Sequence, residues 1–408
     1  MNESNKTGFL ARRDFLKSGA TFLTALAVPS ALAKTIELPK NMLVPGGFDT
    51  AYGARSKHEK DVKRTVNPDG NASFTPIAHQ RGIITPSDLH FGAHHSGIPE
   101  INPNEHELYI HGLTDKPMRF NLEQLDKYPH SGGIMFLECS GNTWSQALAE
   151  SAPDKSAQEL YGLVSGSEWI GVPVKLLLET VGVKPSAKWV IAEGADAGTH
   201  ARSIPIEKIM DDAIIALYQN GDRLRPAQGY PMRLFLPGWE GNMNVKWLRR
   251  LELTDRPAYT KDESRAYTET LPDGTIERFS FYMGVKSLIT HPSGQQKLPA
   301  PGFYEVSGLA WSGAGKVTKV EVSDDGGKTW VEADIQQPVL SKSLTRFTLP
   351  WKWNGSAAKL QSRATDEFGN VQPTHEVWKS KYLGGSYNHY NAIQSWAVSK
   401  QGEVRNAF

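Results

Sequence analysis

The chain has 408 residues, with 45 lysines and arginines against 44 aspartates and glutamates and a formal net charge of +1. That balance excludes a protein held to nucleic acid or to an anionic membrane surface by bulk charge, and the length suits two or three domains with their own cores. With 1 cysteine, the chain cannot staple itself with a disulfide, and it lacks a Cys-x-x-Cys-His haem attachment.

At the start, Arg12-Arg13 precedes an apolar stretch from Ala20 to Val28 and then Ala31-Leu32-Ala33. Paired arginines, a short apolar run and small residues predict a twin-arginine signal spanning 1–33, and the run is too short to span a bilayer. The expectation is a periplasmic protein, exported folded, with no membrane span after signal removal. Residues 34–80 mix Pro, Gly, Asn and charge without a sustained period, which predicts an extended arm. From 81 to 255, strand-like runs (Glu107 to His111, Ile134 to Leu137, Trp189 to Glu193, Met232 to Leu236) mix with helical stretches such as Val174 to Val181. This pattern predicts an α+β domain.

Residues 256–280 read as a linker. Over 281–408, β units recur at roughly ten-residue spacing, from Gly302 to Ala310 through to Glu376 to Lys379. That spacing predicts an all-β, immunoglobulin-like sandwich followed by a C-terminal tail. Within it, Asp324-Asp325-Gly326-Gly327 between Val320 and Trp330 is a hairpin signal, because glycine supplies the positive φ of a tight turn.

Cys139 follows the apolar run Ile134 to Leu137 and precedes Ser140-Gly141-Asn142, so its side chain is expected at a strand tip. A lone buried cysteine is by itself an inert small hydrophobe. At a strand tip its thiolate can instead reach a ligand, and sulfur suits soft metals. One cysteine makes neither a zinc nor an iron–sulfur site, so other ligands must come from elsewhere.

Glu138-Cys139-Ser140-Gly141-Asn142 resembles the Cys-(Ala/Ser)-(Gly/Ala)-Asn segment of the sulfite oxidase family, in which one cysteine binds molybdenum and a pyranopterin dithiolene adds two sulfurs. Gln228-Gly229-Tyr230-Pro231-Met232-Arg233 and the stretch from Pro237-Gly238 to Val245-Lys246-Trp247 are similar to the family's His-Gly-x-Pro-x-Arg and Pro-Gly…Val-Lys-Trp segments. Phe91-Gly92-Ala93-His94-His95 resembles its Arg-Asn-His loop, and Gly194-Ala195-Asp196 its Gly-x-Asp. The resemblance implies Mo-molybdopterin as cofactor, Cys139 as metal ligand, and cofactor contacts from His94, His95, Asp196, Gln228, Arg233, Asn244, Val245 and Lys246. Arg233 and Lys246 would meet the phosphate, one as a planar fork and one as a point charge. It also implies that the sandwich is a dimerisation domain, giving a homodimer or a heterotetramer.

Three positions depart from that pattern. Ala93 and Trp144 stand where sulfite oxidases place arginines, and His200 stands where they place a tyrosine. The resemblance then implies a substrate pocket that includes Trp144, His200 as proton mediator, and either Arg202 or an arginine from the C-terminal domain as the cation that offsets the lost charge. Ser167-Glu168-Trp169-Ile170-Gly171-Val172-Pro173 and the tail from His389 to Trp396 resemble the sulfane dehydrogenase branch of the family. That likeness implies oxidation of sulfane sulfur on the cysteine persulfide of a sulfur-carrier protein, with electrons passed to a cytochrome c subunit. Sulfite dehydrogenase, periplasmic methionine sulfoxide reductase and a redox-silent cofactor-binding scaffold stay open as alternatives.

Overall fold

The computed structural model describes residues 38–49, 53, 55–59, 62–382 and 388–408. The twin-arginine signal lies outside the described residues. Residues up to 59 group as a unit of their own, whose described part holds a 3₁₀ turn at Lys40–Met42. No helix among the described residues is long and apolar enough to cross a membrane.

Residues 60–408 make the other unit, and its first part is built on two sheets. One has five strands in the order Met118–Asn121, Glu107–Gly112, Leu248–Thr254, Trp189–Gly194, Ala201–Pro205, with the second and third parallel and the rest antiparallel. The other runs Asp222–Arg223, Ile214–Gln219, Val164–Pro173, Ser131–Glu138, with Arg233–Phe235 also paired to Ile214–Gln219. Cys139 directly follows a strand of this second sheet and Arg233 begins another, so one sheet delivers both.

Helix Val174–Val181 forms where the sequence predicts it. Val174, Leu177, Leu178 and Val181 take the i, i+3, i+4, i+7 positions of one helical face, and they pack with Leu108, Ile110, Val190 and Leu251 of the first sheet and Val172, Ile215 and Leu234 of the second. Burying each such side chain contributes about 1.5–3 kcal/mol. The helix stops at Gly182, which takes φ +71° and donates its N–H to Leu178.

The second part is the sandwich. One layer runs Lys286–His291, Gly302–Trp311, Thr345–Trp353, Asp334–Ile335, and the other Val331–Glu332, Val317–Ser323, Ala358–Asp366, Ser395–Val398, Val404–Ala407. Alternation along Ala358–Asp366 buries Leu360, Ser362, Ala364 and Asp366 and leaves their neighbours more open, as the period of two requires. The expected hairpin is present, with Val322 opposite Val331 and Gly326 and Gly327 at φ +78° and +88°.

One expectation is corrected, and two segments prove more structured than their composition suggests. The expected β unit from Glu376 to Lys379 is a helix, His375–Lys381: the Thr374 side chain accepts the Val377 N–H at 3.3 Å, Glu376 sits in the first turn, and Lys379 and Lys381 sit in the last. Cap and charges both complement the helix dipole. The segment read as linker folds into a π-helical turn, Asp262–Ala266, and a hairpin of Glu269–Thr270 with Ile276–Glu277. The end of the expected arm contributes strands too: Thr65–Val66 pairs with Ala72–Phe74, which in turn pairs with Gly92–Ala93.

The two parts share one apolar core, in which Phe136, Tyr161 and Val164 pack with Leu288, Leu309, Trp311, Leu344 and Trp396. At their junction Gly238 has φ +77°, and a Cβ there would lie 2.1 Å from the Gly313 carbonyl oxygen. Gly238→Ala therefore meets both a left-handed backbone, worth about 1–2 kcal/mol, and a backbone clash. Gly221→Ala meets only the first, since its φ is +80° with nothing within 4 Å. Gly238→Ala is expected to lower the urea midpoint clearly more than Gly221→Ala, and equal shifts would show that the junction yields.

Candidate active site

A cleft of ≈ 720 Å³, open to solvent, forms where loops from both sheets converge. The turn Pro226–Gln228 ends at Gly229, whose φ is +107° and whose missing Cβ would lie 3.1 Å from Cβ of both Arg233 and Lys246. Only glycine lets these two cations pass so close to the turn. Arg233 donates to the carbonyls of Gln228 (3.2 Å) and Asn244 (2.8 Å), while its buried Nε has no partner. Lys246 donates to the Ala93 carbonyl at 2.9 Å and to His94 Nδ1 at 2.6 Å.

Neither cation has a carboxylate within 4.0 Å among the described residues. Burial pushes Arg233 down to about 9 and, with Arg233 nearby, holds Lys246 well below the ordinary lysine value. Burial, then Lys246, lowers His94 to about 3, so its neutral ring accepts from the ammonium. Two buried cations without an anion make a site for one. Gln228 is spanned between the Phe91 carbonyl (2.7 Å) and Arg233. The Asn244 amide is committed to the turn above it, accepting from Leu236 N–H and donating to the Glu240 carbonyl, both at 2.7 Å. Asp196 caps its own turn by accepting the His200 N–H at 3.1 Å.

Cys139 lines the same cleft beside Gly241 and Asn242. A Cβ on Gly241 would lie 2.7 Å from the Glu138 carbonyl and 3.0 Å from Cys139 Cα. Burial pushes the thiol up to about 11, against an opposing Gly141 N–H. A thiolate here needs a cation against it, which a coordinated metal supplies.

On another wall stand His95, His200 and Tyr267. Tyr267 Oη lies 3.0 Å from His95 Nε2, and the His95 and His200 rings meet edge to face at 5.5 Å. His200 has Nε2 2.8 Å from the Asn242 carbonyl and Nδ1 3.2 Å from Asp262. Burial works against the Asp262 carboxylate, but His200 and the Ala201 N–H outweigh it and its pKa is lowered. Asp262, Glu263 and Tyr267 come from the segment that the sequence presented as linker, and no motif marks them.

Nine expected residues line the cleft: His94, His95, Cys139, Asp196, His200, Gln228, Arg233, Asn244 and Lys246. Three do not. Trp144 is 51% exposed with Lys155 over its ring at 5.7 Å, because it opens the helix Trp144–Ala147 beyond the turn. Arg202 is buried behind the wall, bonded to Asn242 and stacked on Tyr267 at 4.7 Å, with Glu263 at 3.6 Å. The Val245 side chain packs in the core between the sheets.

A family model described as the oxidoreductase molybdopterin binding domain matches residues 95–261, and the Mo-co oxidoreductase dimerisation domain matches 277–395. Among curated proteins, the NADH nitrate reductase of Solanum lycopersicum is 30% identical over 341 residues, 73% of this chain and 37% of that protein. NADH nitrate reductase 1 of Arabidopsis thaliana is 29% identical over 388 residues, 84% and 42% respectively. The chain thus spans about two fifths of the length of these relatives. Among solved structures, the sulfane dehydrogenase SoxCD from Paracoccus pantotrophus matches with a TM-score of 0.88 at 40% identity, over 94% of this chain and 100% of that one.

The residues fit a pterin phosphate with a thiolate-bound metal: uncompensated Arg233 and Lys246, an orphaned Nε, and Cys139 share one cleft. Arg233→Gln and Lys246→Met are each expected to lower molybdenum and pterin content by roughly tenfold or more, as loss of a charge-assisted partner worth about 1.5–3 kcal/mol requires. Metal analysis of purified protein checks this, and full occupancy in both variants would remove the phosphate from these side chains.

Proposed function

The chain belongs to the sulfite oxidase family of molybdopterin oxidoreductases, is SoxC-like and takes Mo-molybdopterin, and from that premise we propose that it oxidises sulfane sulfur presented as a persulfide on a carrier protein. A cytochrome c subunit would take the electrons, in the periplasm. The observation that carries the substrate is the charge of the cleft. Among its lining residues the only guanidinium is Arg233, which is turned to the carbonyls of Gln228 and Asn244. Ala93 offers no cation, and Arg202 and Trp144 stand outside the lining. A free sulfite dianion has little to grip, whereas a persulfide brings at most one charge and binds through its protein.

When bound, the cofactor would supply oxygen transfer to sulfur and a two-electron acceptor. Adding one water-derived oxygen to sulfur releases two protons along with two electrons, and the chain's own residues must move those protons. His200 is the proposed mediator: its Nε2 lies 2.8 Å from the Asn242 carbonyl and its Nδ1 3.2 Å from the Asp262 carboxylate, so each ring nitrogen stands beside an oxygen. Tyr267 and the exposed His95, joined at 3.0 Å, continue from the cleft toward solvent. Cys139 would hold the metal, and the homodimer or heterotetramer would form through the sandwich.

Molybdenum and pterin analysis of the purified protein, followed by electron transfer to cytochrome c from sulfite and from a carrier persulfide, tests the assignment. Ala93→Arg is expected to improve sulfite use by roughly tenfold, chiefly through KM, since the added charge acts on ground and transition states alike. The gain should shrink with salt and should be absent with the carrier. Efficient sulfite oxidation by the unmodified protein would return the assignment to sulfite dehydrogenase.

A further inference from the structure

Resting on the reading of Cys139 as metal ligand, we propose that Lys286 of the sandwich is a positioning residue for the molybdenum site, because its ammonium clamps both ends of the loop that presents Cys139. Lys286 opens the first strand of the sandwich, Lys286–His291. Its Nζ lies 2.8 Å from Glu138 Oε1, immediately before the cysteine, and 3.2 Å from Thr143 Oγ1, where the loop ends. Thr143 is the residue that turns the chain there, with φ +75°.

The rest of the Glu138 carboxylate is spoken for in the same way. Oε1 also accepts from Asn142 Nδ2 at 2.9 Å, across the loop, and Oε2 accepts from Trp311 Nε1 at 2.6 Å, from the sandwich again. Asn142 in turn accepts the Leu163 N–H at 3.1 Å. Glu138 is 0% exposed and Lys286 1%, so neither is free to swing into water. A buried ion pair adds little net stability over well-packed apolar residues. What it does add is direction: each bond fixes the loop at a set distance, and the outer partners of a ligand set its orientation. The domain matched as a dimerisation domain thus has a second task at the metal.

The test uses holoenzyme, with the sulfur-to-molybdenum charge-transfer absorption and the rate of cofactor release as readouts. Lys286→Met is expected to shift the band and speed release by roughly 10–100-fold, with Lys286→Arg recovering part of both. Lys342→Met is the control. It cuts another ion pair between the sandwich and the first part, Lys342 to Asp212 at 2.7 Å, and should lower the melting temperature while leaving the band in place. A wild-type band and release rate in Lys286→Met, or equal changes in Lys342→Met, would overturn the proposal. If Lys286→Met does not fold, Trp311→Phe, which removes one donor to Glu138 and keeps a ring, carries the same spectral test. Cys139→Ser separates the two readings: a band that survives it defeats the ligand assignment, whereas its loss beside an unchanged Lys286→Met defeats only the positioning role.

Discussion

Two cations buried without a counter-charge constrain the whole cleft. Removing Arg233 and Lys246 from water costs several kcal/mol each, and the protein meets that cost with dipoles rather than carboxylates. Four carbonyls, those of Gln228, Asn244, Ala93 and Ala227, turn toward them. Trp169 and Trp247 add ring faces at 5.2 and 4.5 Å, of the order of 1 kcal/mol each. Carbonyls and rings stabilise a cation without neutralising it, so the pair keeps its pull on an anion. An acidic residue in either place would make a more self-sufficient fold and a poorer site.

That constraint explains why the loops around the cleft are so heavily tied. Gly229 brings the cations together, Asn244 holds the turn over them, and Gln228 links them to the loop that begins at Phe91. The cysteine loop is tied from the far side, by the sandwich. A shared core and a buried carboxylate join the two parts, so the sandwich packs directly against the strand that leads into Cys139.

The wall of His95, His200 and Tyr267 has a different origin. Sequence-distant segments meet there: His95 after a small sheet, His200 before the strand Ala201–Pro205, and Tyr267 after a π-helical turn. Arg202 keeps its charge inside that wall, held by Asn242, Glu263 and the Tyr267 ring. A guanidinium engaged in this way orders the wall from behind and does not line the cleft, although its Nε has no hydrogen-bond partner. This is why the cleft is less cationic than the number of nearby arginines suggests.

The two domain types and the strands from Glu107, Ile134, Trp189 and Gly302 were legible in the chain, and so were residues such as Cys139, Arg233 and Lys246 that the fold brings to one cleft. Those features are legible because they are local. Periodicity marks Val174–Val181, glycines mark Gly229 and the hairpin at Gly326, and a cysteine or lysine beside a turn carries its chemistry with it. Trp144 shows where local reading stops: one turn of helix carries it to the surface, and no neighbour in sequence says so. The helix at His375–Lys381 was legible in its Thr374 cap and charge order, yet the regular β spacing before it pointed the other way. Which groups oppose which is settled by folding in three dimensions. Glu138 and Lys286 are 148 residues apart, and Tyr267 and His95 are 172 apart. Such pairs leave no spacing signal, because burial and charge compensation act through space and the chain records only the residues that happen to meet.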